Sequence, residues 1–236
     1  MVGAALKLAA HSPVMRHPLH LAVSLVVVPV ACALGAGGCV AGPAGPSADE
    51  GAAHLGLVEG RTLTYDSSTG ATETHEFKAS DLQVLGGLTV GLLAKENGFA
   101  KESRSLTFAV DVEQASLARF FSCLNECATI DAPIPFIGWP LEEGARVEGE
   151  GTVTESRDGE VVQIRTERHA TTIGPQADVT VPAGTFSAFV VSWAKTIVDA
   201  AGAETTETAV LQWAPDVGIV RHETFDGVTL ELQTAP

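Results

Sequence analysis

The chain has 236 residues, of which 14 are basic and 29 are acidic, so its formal net charge is −15. A domain this acidic repels the phosphates of nucleic acids and anionic lipid head groups, which excludes nucleic-acid binding as a function. All the acidic residues follow position 38, and this asymmetry separates the first 38 residues from the rest of the chain.

Residues 1–38 have the parts of an export signal. Arg16 precedes an apolar stretch at residues 19–34, and the small residues 35–38 follow it. This order is typical of a secretory signal peptide. The apolar stretch is too short and too interrupted for a spanning helix, which needs about 20 apolar residues. We predict that residues 1–38 are a cleaved signal peptide, with Met15 as an alternative start of ordinary signal length.

Cys39 follows Ala36-Gly37-Gly38 and resembles the lipobox cysteine of bacterial lipoproteins, although that motif usually has leucine where Ala36 stands. Several acyl chains, such as palmitate, on one residue would anchor the protein stably. Cys32 is a weaker alternative, and a plain secretory signal is another. Val40 is not the aspartate that retains many such proteins at the inner membrane. We therefore expect an anchor at Cys39 in the cell envelope, at the outer rather than the inner membrane.

Residues 39–57 are rich in Gly, Ala and Pro, which predicts a flexible tether with a reach on the order of 25 Å. Without residues 1–38, the chain keeps 12 basic and 29 acidic residues, a net charge of −17. Residues 58–236 are long enough for one domain with its own core.

The first half of this domain combines predicted strands with one predicted helix. Apolar residues at i, i+3, i+4 and i+7 in residues 113–125 indicate an amphipathic helix. A proline-rich loop is expected at residues 131–140. Strands are predicted at residues 61–66, 72–77 and 105–110, and a longer apolar segment is predicted at residues 82–93.

The second half reads as strands separated by turns, with Asp158-Gly159 as a strong hairpin signal. The predicted strands are residues 145–156, 160–169, 179–181, 186–199, 204–213, 219–225 and 228–233. The expected fold is mainly β: one curled antiparallel sheet of nine to eleven strands, a half-barrel or open barrel, with one short amphipathic helix.

Four segments carry a likeness to known proteins. They are residues 59–65, 140–144, 179–186 and 213–220, with the sequences EGRTLTY, PLEEG, VTVPAGTF and WAPDVGIV. The chain resembles a group of uncharacterised exported bacterial lipoproteins with a curled antiparallel sheet. The resemblance implies a half-barrel (LolA-like) or lipocalin-like fold, related in shape to carriers of lipoproteins and lipids, and implies no known reaction.

The sequence offers little catalytic chemistry. It contains no G-x-S-x-G, H-E-x-x-H or phosphate-binding glycine loop, so we expect a protein that is not an enzyme and that uses neither cofactor nor metal. His169 and His222, with Glu167 or Glu223, could form a metal site, but ordinary strand histidines are the preferred interpretation.

Cys123 and Cys127 are a candidate disulfide. Cysteines tend to pair in an oxidising envelope. One helical turn would place their Cα atoms about 6 Å apart, within the range that a disulfide allows. The bond would pin the end of the predicted helix.

Aromatic residues are the most suggestive feature. They either fill the core of the curled sheet or line a cavity for an acyl chain or another apolar ligand. The candidate pocket residues are Phe120, Phe121, Phe136, Trp139, Trp193 and Trp213. The expected function is a non-enzymatic structural or adaptor lipoprotein that binds an envelope protein, with a carrier or sensor of an apolar molecule as the alternative. A large cavity would favour the carrier, and a filled core would favour the adaptor.

Overall fold

The computed structural model describes residues 46–80, 87–100, 105–120, 126–158 and 160–234, with every side chain in them except those of residues 119, 120, 126 and 127. The described residues form one helix and thirteen strands. These are α1 (Ala48–His54), β1 (Thr62–Ser67), β2 (Thr72–Ala79), β3 (Leu88–Glu96), β4 (Phe99–Ala100), β5 (Leu106–Val110), β6 (Gln114–Phe120), β7 (Glu126–Gly138), β8 (Arg146–Arg157), β9 (Glu160–Val181), β10 (Gly184–Val198), β11 (Glu204–Ala214), β12 (Gly218–Glu223) and β13 (Thr229–Leu232).

The sheet closes on itself. Its strands follow the order β2-β1-β13-β12-β11-β10-β9-β8-β7-β6-β5-β3, and β3 pairs back onto β2 from Glu73↔Glu96 to Ala79↔Val90. Twelve strands therefore form a barrel, while β4 pairs with the end of β3 and with no other strand of the described residues. The mainly β class is confirmed, but the half-barrel or open barrel is wrong. Closure gives both edge strands hydrogen-bond partners, which an open sheet would leave exposed.

Alternation along the strands sets the interior of the barrel. On β1, Leu63 and Tyr65 are buried between less buried neighbours, and on β2 the same holds for His75 and Phe77. Residues directly opposite each other in an antiparallel pair share a face. The pairs Leu63↔His75 and Phe77↔Leu92 therefore carry one interior surface across three strands.

The predicted helix at residues 113–125 is wrong for its described part, because residues 114–120 form β6 between β5 and β7. Ala115, Ser116, Leu117 and Ala118 are all buried, so both faces of β6 are covered. A short run covered on both faces does not distinguish a helix from a strand by its periodicity. Residues 121–125 lie outside the described residues.

The predicted proline-rich loop is also wrong, since residues 131–138 belong to β7. The proline at position 135 pairs with Ser116 beside a register shift between Ala115 and Ser116. Proline has no N–H to donate to the hydrogen bonds of a sheet. It is therefore tolerated mainly at such irregular positions.

The predicted tether is wrong for residues 48–57. Ser47 and Glu50 form a capping box that starts α1. After the helix, Leu55 and Leu57 are buried in the core. The tether was predicted from the Gly- and Ala-rich composition, which does not take into account the two leucines or the Ser-x-x-Glu spacing that marks the start of a helix. Residues 39–45 lie outside the described residues.

The segment around α1 packs against one end of the barrel. The Trp213 Nε1–H donates a hydrogen bond of 2.9 Å to the carbonyl of Leu55. Gly56, with a φ of +71°, lies so close to the backbone of Gly218 that a Cβ at position 56 would come within 2.6 Å of it. Leu55 and Leu57 face Tyr65, among other core residues, so apolar side chains close this end.

We expect Leu55→Ala to lower the free energy of unfolding by about 3 kcal/mol, because Leu55 is fully buried and its truncation leaves a cavity in the core. Urea denaturation followed by tryptophan fluorescence measures this change. Val112 is 47% exposed, and Val112→Ala is the control, expected to stay within about 0.5 kcal/mol of the wild type. Equal stability of the two variants would show that residues 48–57 do not pack on the barrel.

Candidate ligand-binding site

The barrel contains a cavity of about 390 Å³. Its apolar lining residues are Leu92, Leu106, Phe108, Phe136, Trp193, Leu211, Trp213, Ile219 and Phe225. Its polar lining residues are His75, Lys195, Glu207, His222, Thr224 and Asp226. Close-packed protein interiors contain few voids larger than a water molecule. A space of this size therefore marks the interior as a candidate site for a small molecule.

Aromatic rings form a connected wall of the cavity. The Phe136 ring lies 4.8 Å from the Trp193 ring in an edge-on arrangement and 5.8 Å from the Phe108 ring, measured between centroids. The Trp193 ring in turn lies 4.6 Å from Phe225. Trp213 is 6.3 Å from Phe136. Edge-on and tilted aromatic pairs stabilise such contacts beyond the area that they bury.

Both cavity tryptophans use their N–H groups outside the cavity. Trp213 donates to the Leu55 carbonyl, and the Trp193 Nε1–H donates a hydrogen bond of 3.0 Å to Nδ1 of His169. An indole has one donor and no acceptor. These two side chains therefore offer a ligand only ring surfaces.

A chain of buried polar groups stands behind Trp193. His169 Nε2 lies 3.1 Å from Oε2 of Glu167, and Arg165 Nε donates a hydrogen bond of 2.7 Å to Oε1 of the same carboxylate. Arg165 also binds Glu155 through Nη1. Glu167 and His169 are each at most 2% exposed. Because buried charges are costly unless they are paired, each member of this chain depends on its neighbours.

The hydrogen bonds determine the charge of these groups. Burial alone would raise the pKa of Glu167, but hydrogen bonds from His169 and Arg165 outweigh it and lower the pKa below its ordinary value. Burial opposes the charge of Arg165, yet its bonds to Glu155 and Glu167 raise its pKa. Glu167 is therefore a carboxylate and Arg165 a guanidinium at neutral pH.

Polar groups gather at the cavity end away from α1. Lys195 pairs with Glu207 in register, six residues along β10 from Phe189, which pairs with Trp213. Six strand residues span about 20 Å. Lys195 Nζ lies 2.8 Å from a Glu207 oxygen and 4.5 Å above the centre of the Phe225 ring. Asp226, which accepts a hydrogen bond from Thr224, is exposed, so the cavity reaches solvent here.

A second buried acid–histidine pair lies on β2. His75 Nε2 is 2.8 Å from Glu73 Oε1, and both side chains are almost fully buried. The Tyr65 ring lies 4.5 Å from the His75 ring, and its hydroxyl donates to the carbonyl of Ile219 at 2.8 Å. Burial first, and the charge of Glu73 second, raise the pKa of Tyr65, which keeps its hydroxyl protonated.

Both pairs share a sequence spacing from which neither contact was predicted. Glu73 and His75, like Glu167 and His169, have the spacing Glu-x-His on a strand. Side chains two residues apart on a strand point to the same face. The spacing could have predicted the two contacts, but not their burial.

The predicted pocket residues divide into three groups. Phe136, Trp193 and Trp213 line the cavity. Trp139 does not: its ring packs against Gly51 of α1, and its N–H donates to the Asp111 carbonyl at 3.0 Å. The residues that cannot be placed, because they or their side chains lie outside the described part, are Phe120, Phe121, Cys39, Cys123 and Cys127. Lipidation and the disulfide therefore stay predictions.

His169 and His222 have different surroundings. His169 contacts Glu167 and Trp193, whereas His222 lines the cavity opposite Leu211 on the neighbouring strand. Within the described ranges, no group of three or more His, Cys, Asp or Glu side chains is arranged to hold a metal ion. No helix among the same residues is long and apolar enough to cross a membrane.

The fold and the site define a closed antiparallel barrel with an internal aromatic cavity. Residues 152–230 match a family model described as DUF3108-like. The chain is similar to the crystal structure of a candidate lipoprotein from Parabacteroides distasonis ATCC 8503, with a TM-score of 0.53, 12% identity, and coverage of 78% of this chain and 98% of the other. These two matches confirm the resemblance at the level of the fold.

Two further solved structures are similar to the chain. A candidate exported protein with a YmcC-like fold from Bacteroides fragilis NCTC 9343 has a TM-score of 0.49, 13% identity, and coverage of 76% of this chain and 96% of its own. The hypothetical lipoprotein YmcC from Escherichia coli K12 has a TM-score of 0.35, 9% identity, and coverage of 80% and 89%. No protein with a curated description matches the chain significantly.

We expect Glu167→Gln to lower the free energy of unfolding at neutral pH by about 3 kcal/mol, because the substitution leaves Arg165 short of a buried partner. Since the folded-state pKa of Glu167 is lowered, the stability that it supplies is present above the pKa of an unfolded glutamate, about 4.3, and is lost as pH falls towards the folded value. Denaturation curves between neutral and acidic pH should therefore converge for the variant and the wild type.

The control for this measurement is Glu160→Gln, on the exposed start of the same strand. It should change the stability at neutral pH by less than about 0.5 kcal/mol. If the difference in free energy of unfolding between Glu167→Gln and the wild type stayed constant at every pH, the Glu167 carboxylate would not be the source of the pH dependence.

Proposed function

We propose that this protein is a cell-envelope lipoprotein that binds one small apolar molecule inside its barrel and catalyses no reaction on it. The observation that carries the proposal is the cavity of about 390 Å³ with its aromatic wall. Cavities of about 300–1,000 Å³ lined mainly by apolar side chains are typical of small-molecule sites. The cavity thus supports the carrier or sensor rather than the adaptor.

The size and polarity of the cavity support a particular kind of ligand. Its volume lies near the lower limit for small-molecule sites, which suits one acyl chain or a small ring system. The apolar wall around Phe136 and Trp213 would take the body of the molecule. The polar end around Lys195, Glu207 and Thr224 would take a hydrogen-bonding head that remains near solvent.

The N-terminal sequence supports the location of this activity. Cys39 follows a signal-like leader and the small residues of a lipobox, so we propose that acyl chains on Cys39 hold the barrel at a membrane of the cell envelope. The residue after it, Val40, favours the outer membrane. On this proposal the acyl chains bind the membrane. The ligand of the cavity is then a molecule of the cell envelope.

The binding proposal predicts saturable uptake of the neutral apolar probe N-phenyl-1-naphthylamine by the purified barrel, with an increase in probe fluorescence. Leu106→Trp should weaken this binding at least about tenfold, because a larger ring in the wall fills the space for the ligand. Leu93 pairs with Glu76 on the outer face of β3, and Leu93→Trp is the matched control, expected to bind like the wild type.

Absence of saturable binding by the folded wild type would reject the carrier proposal. The adaptor would then be the better proposal, because Val161, Val162 and Ile164 on β9 are each more than half exposed and offer an apolar surface to a protein partner.

The anchor proposal predicts that the full-length protein, expressed in a bacterium that processes lipoproteins, sediments with membranes. Its mass should correspond to cleavage before Cys39 plus acyl chains. Cys39→Ser should release the protein into the aqueous fraction, whereas Cys32→Ser should not. Unmodified Cys39 in the membrane-extracted protein would contradict the proposal.

A further inference from the structure

The hydrogen bond between Trp193 and His169 determines which form of the imidazole is present. Because the indole N–H can only donate, Nδ1 of His169 must accept and therefore carries no proton. The proton of the neutral ring then lies on Nε2, from which it is donated to Glu167. His169 thus joins a buried carboxylate to a ring of the cavity wall.

This arrangement fixes the orientation of Trp193. With its N–H held by His169, the indole presents its ring edge and faces to Phe136, Phe225 and the cavity. An indole turned away from His169 would carry an unpaired N–H in an apolar space, which is costly. The position of the wall therefore depends on the acceptor at Nδ1.

Adding a proton to Nδ1 would remove that acceptor. The charged groups that face His169 are Glu167 and Arg165 on its own strand and Lys195, its register partner on β10. Arg165 is paired with Glu155 and Lys195 with Glu207. On β8, the register partner of His169 is Gly149, which adds no charge.

We propose that His169 is the positioning residue of the cavity, and that its neutral form holds Trp193 in the orientation that binds ligand. The proposal rests on the proposed apolar-ligand function and adds pH dependence to it. Protonation of His169 breaks the hydrogen bond from Trp193, whereas ligand binding requires that bond. By thermodynamic linkage, protonation therefore lowers the affinity for the ligand. Affinity is therefore highest with His169 neutral and falls as the ring is protonated.

The test is a titration with N-phenyl-1-naphthylamine at about pH 7.5 and about pH 5, which span the range in which histidine commonly changes charge. Wild-type affinity should fall about fivefold to tenfold at the lower pH, the equivalent of one hydrogen bond. His169→Gln keeps an acceptor and a donor but does not titrate. It should bind within about threefold of the wild type at the higher pH and show no pH dependence.

Two further variants separate this role from a general structural one. Trp193→Phe keeps a ring in the wall without the N–H, so it should bind at both pH values with equal affinity. His54→Gln alters a histidine at the end of α1, outside the cavity lining, and should keep the wild-type pH dependence. Trp193→Phe also serves if His169→Gln does not fold.

Three results would overturn the inference: a wild type that binds equally at both pH values, a Trp193→Phe or His169→Gln variant with the full pH dependence, or loss of that dependence in His54→Gln. Each of these leaves the proposed function in place, because the probe still binds. Failure of the folded wild type to bind the probe at either pH would instead reject the proposed function.

Discussion

The closure of the sheet into a ring of paired strands is the constraint on which the rest of the structure depends. Barrel diameter grows with strand number, and about eight strands already leave an interior that side chains can just fill. A ring of twelve strands is wider, so its own side chains leave space. The cavity is thus a consequence of strand number, and the aromatic residues on the inner face decide what that space can hold.

The two ends of the barrel differ in polarity and in access to solvent. At one end, Leu55 and Leu57 follow a short capped helix into the core, and Trp213 holds the Leu55 carbonyl. At the other end, Lys195 and Glu207 carry charge to the surface. One apolar closed end and one polar open end give the interior a direction. That direction matches the proposed ligand, in which an apolar body carries a hydrogen-bonding head.

The sequence predicts most of the fold in the C-terminal half and less of it before residue 140. Turn residues such as Asp158-Gly159 mark strand ends by local chemistry, and β10 to β13 lie close to where the pattern placed them. In β6 both faces are covered, so the pattern of Leu117 and Phe120 imitated a helix. Closure could not be predicted, because it depends on the pairing of β1 with β13, whose register partners such as Tyr65 and Leu232 lie far apart in the sequence. Of the four proposed pocket residues whose side chains are described, Phe136, Trp193 and Trp213 line the cavity and Trp139 does not, since alternation identifies a face but not what that face surrounds.

The buried charges are the feature that packing alone does not explain. Replacing a buried ion pair with apolar side chains of similar volume often costs no stability, so Arg165, Glu167 and His169 are not needed simply to hold the strands together. Once present, however, they cannot shift independently, because each would leave a partner unsatisfied. The last group in the chain is the indole of Trp193, the ring that contacts both Phe136 and Phe225. A rigid polar chain that ends on a cavity wall fixes the shape of the site, which a purely apolar core would leave to side-chain packing.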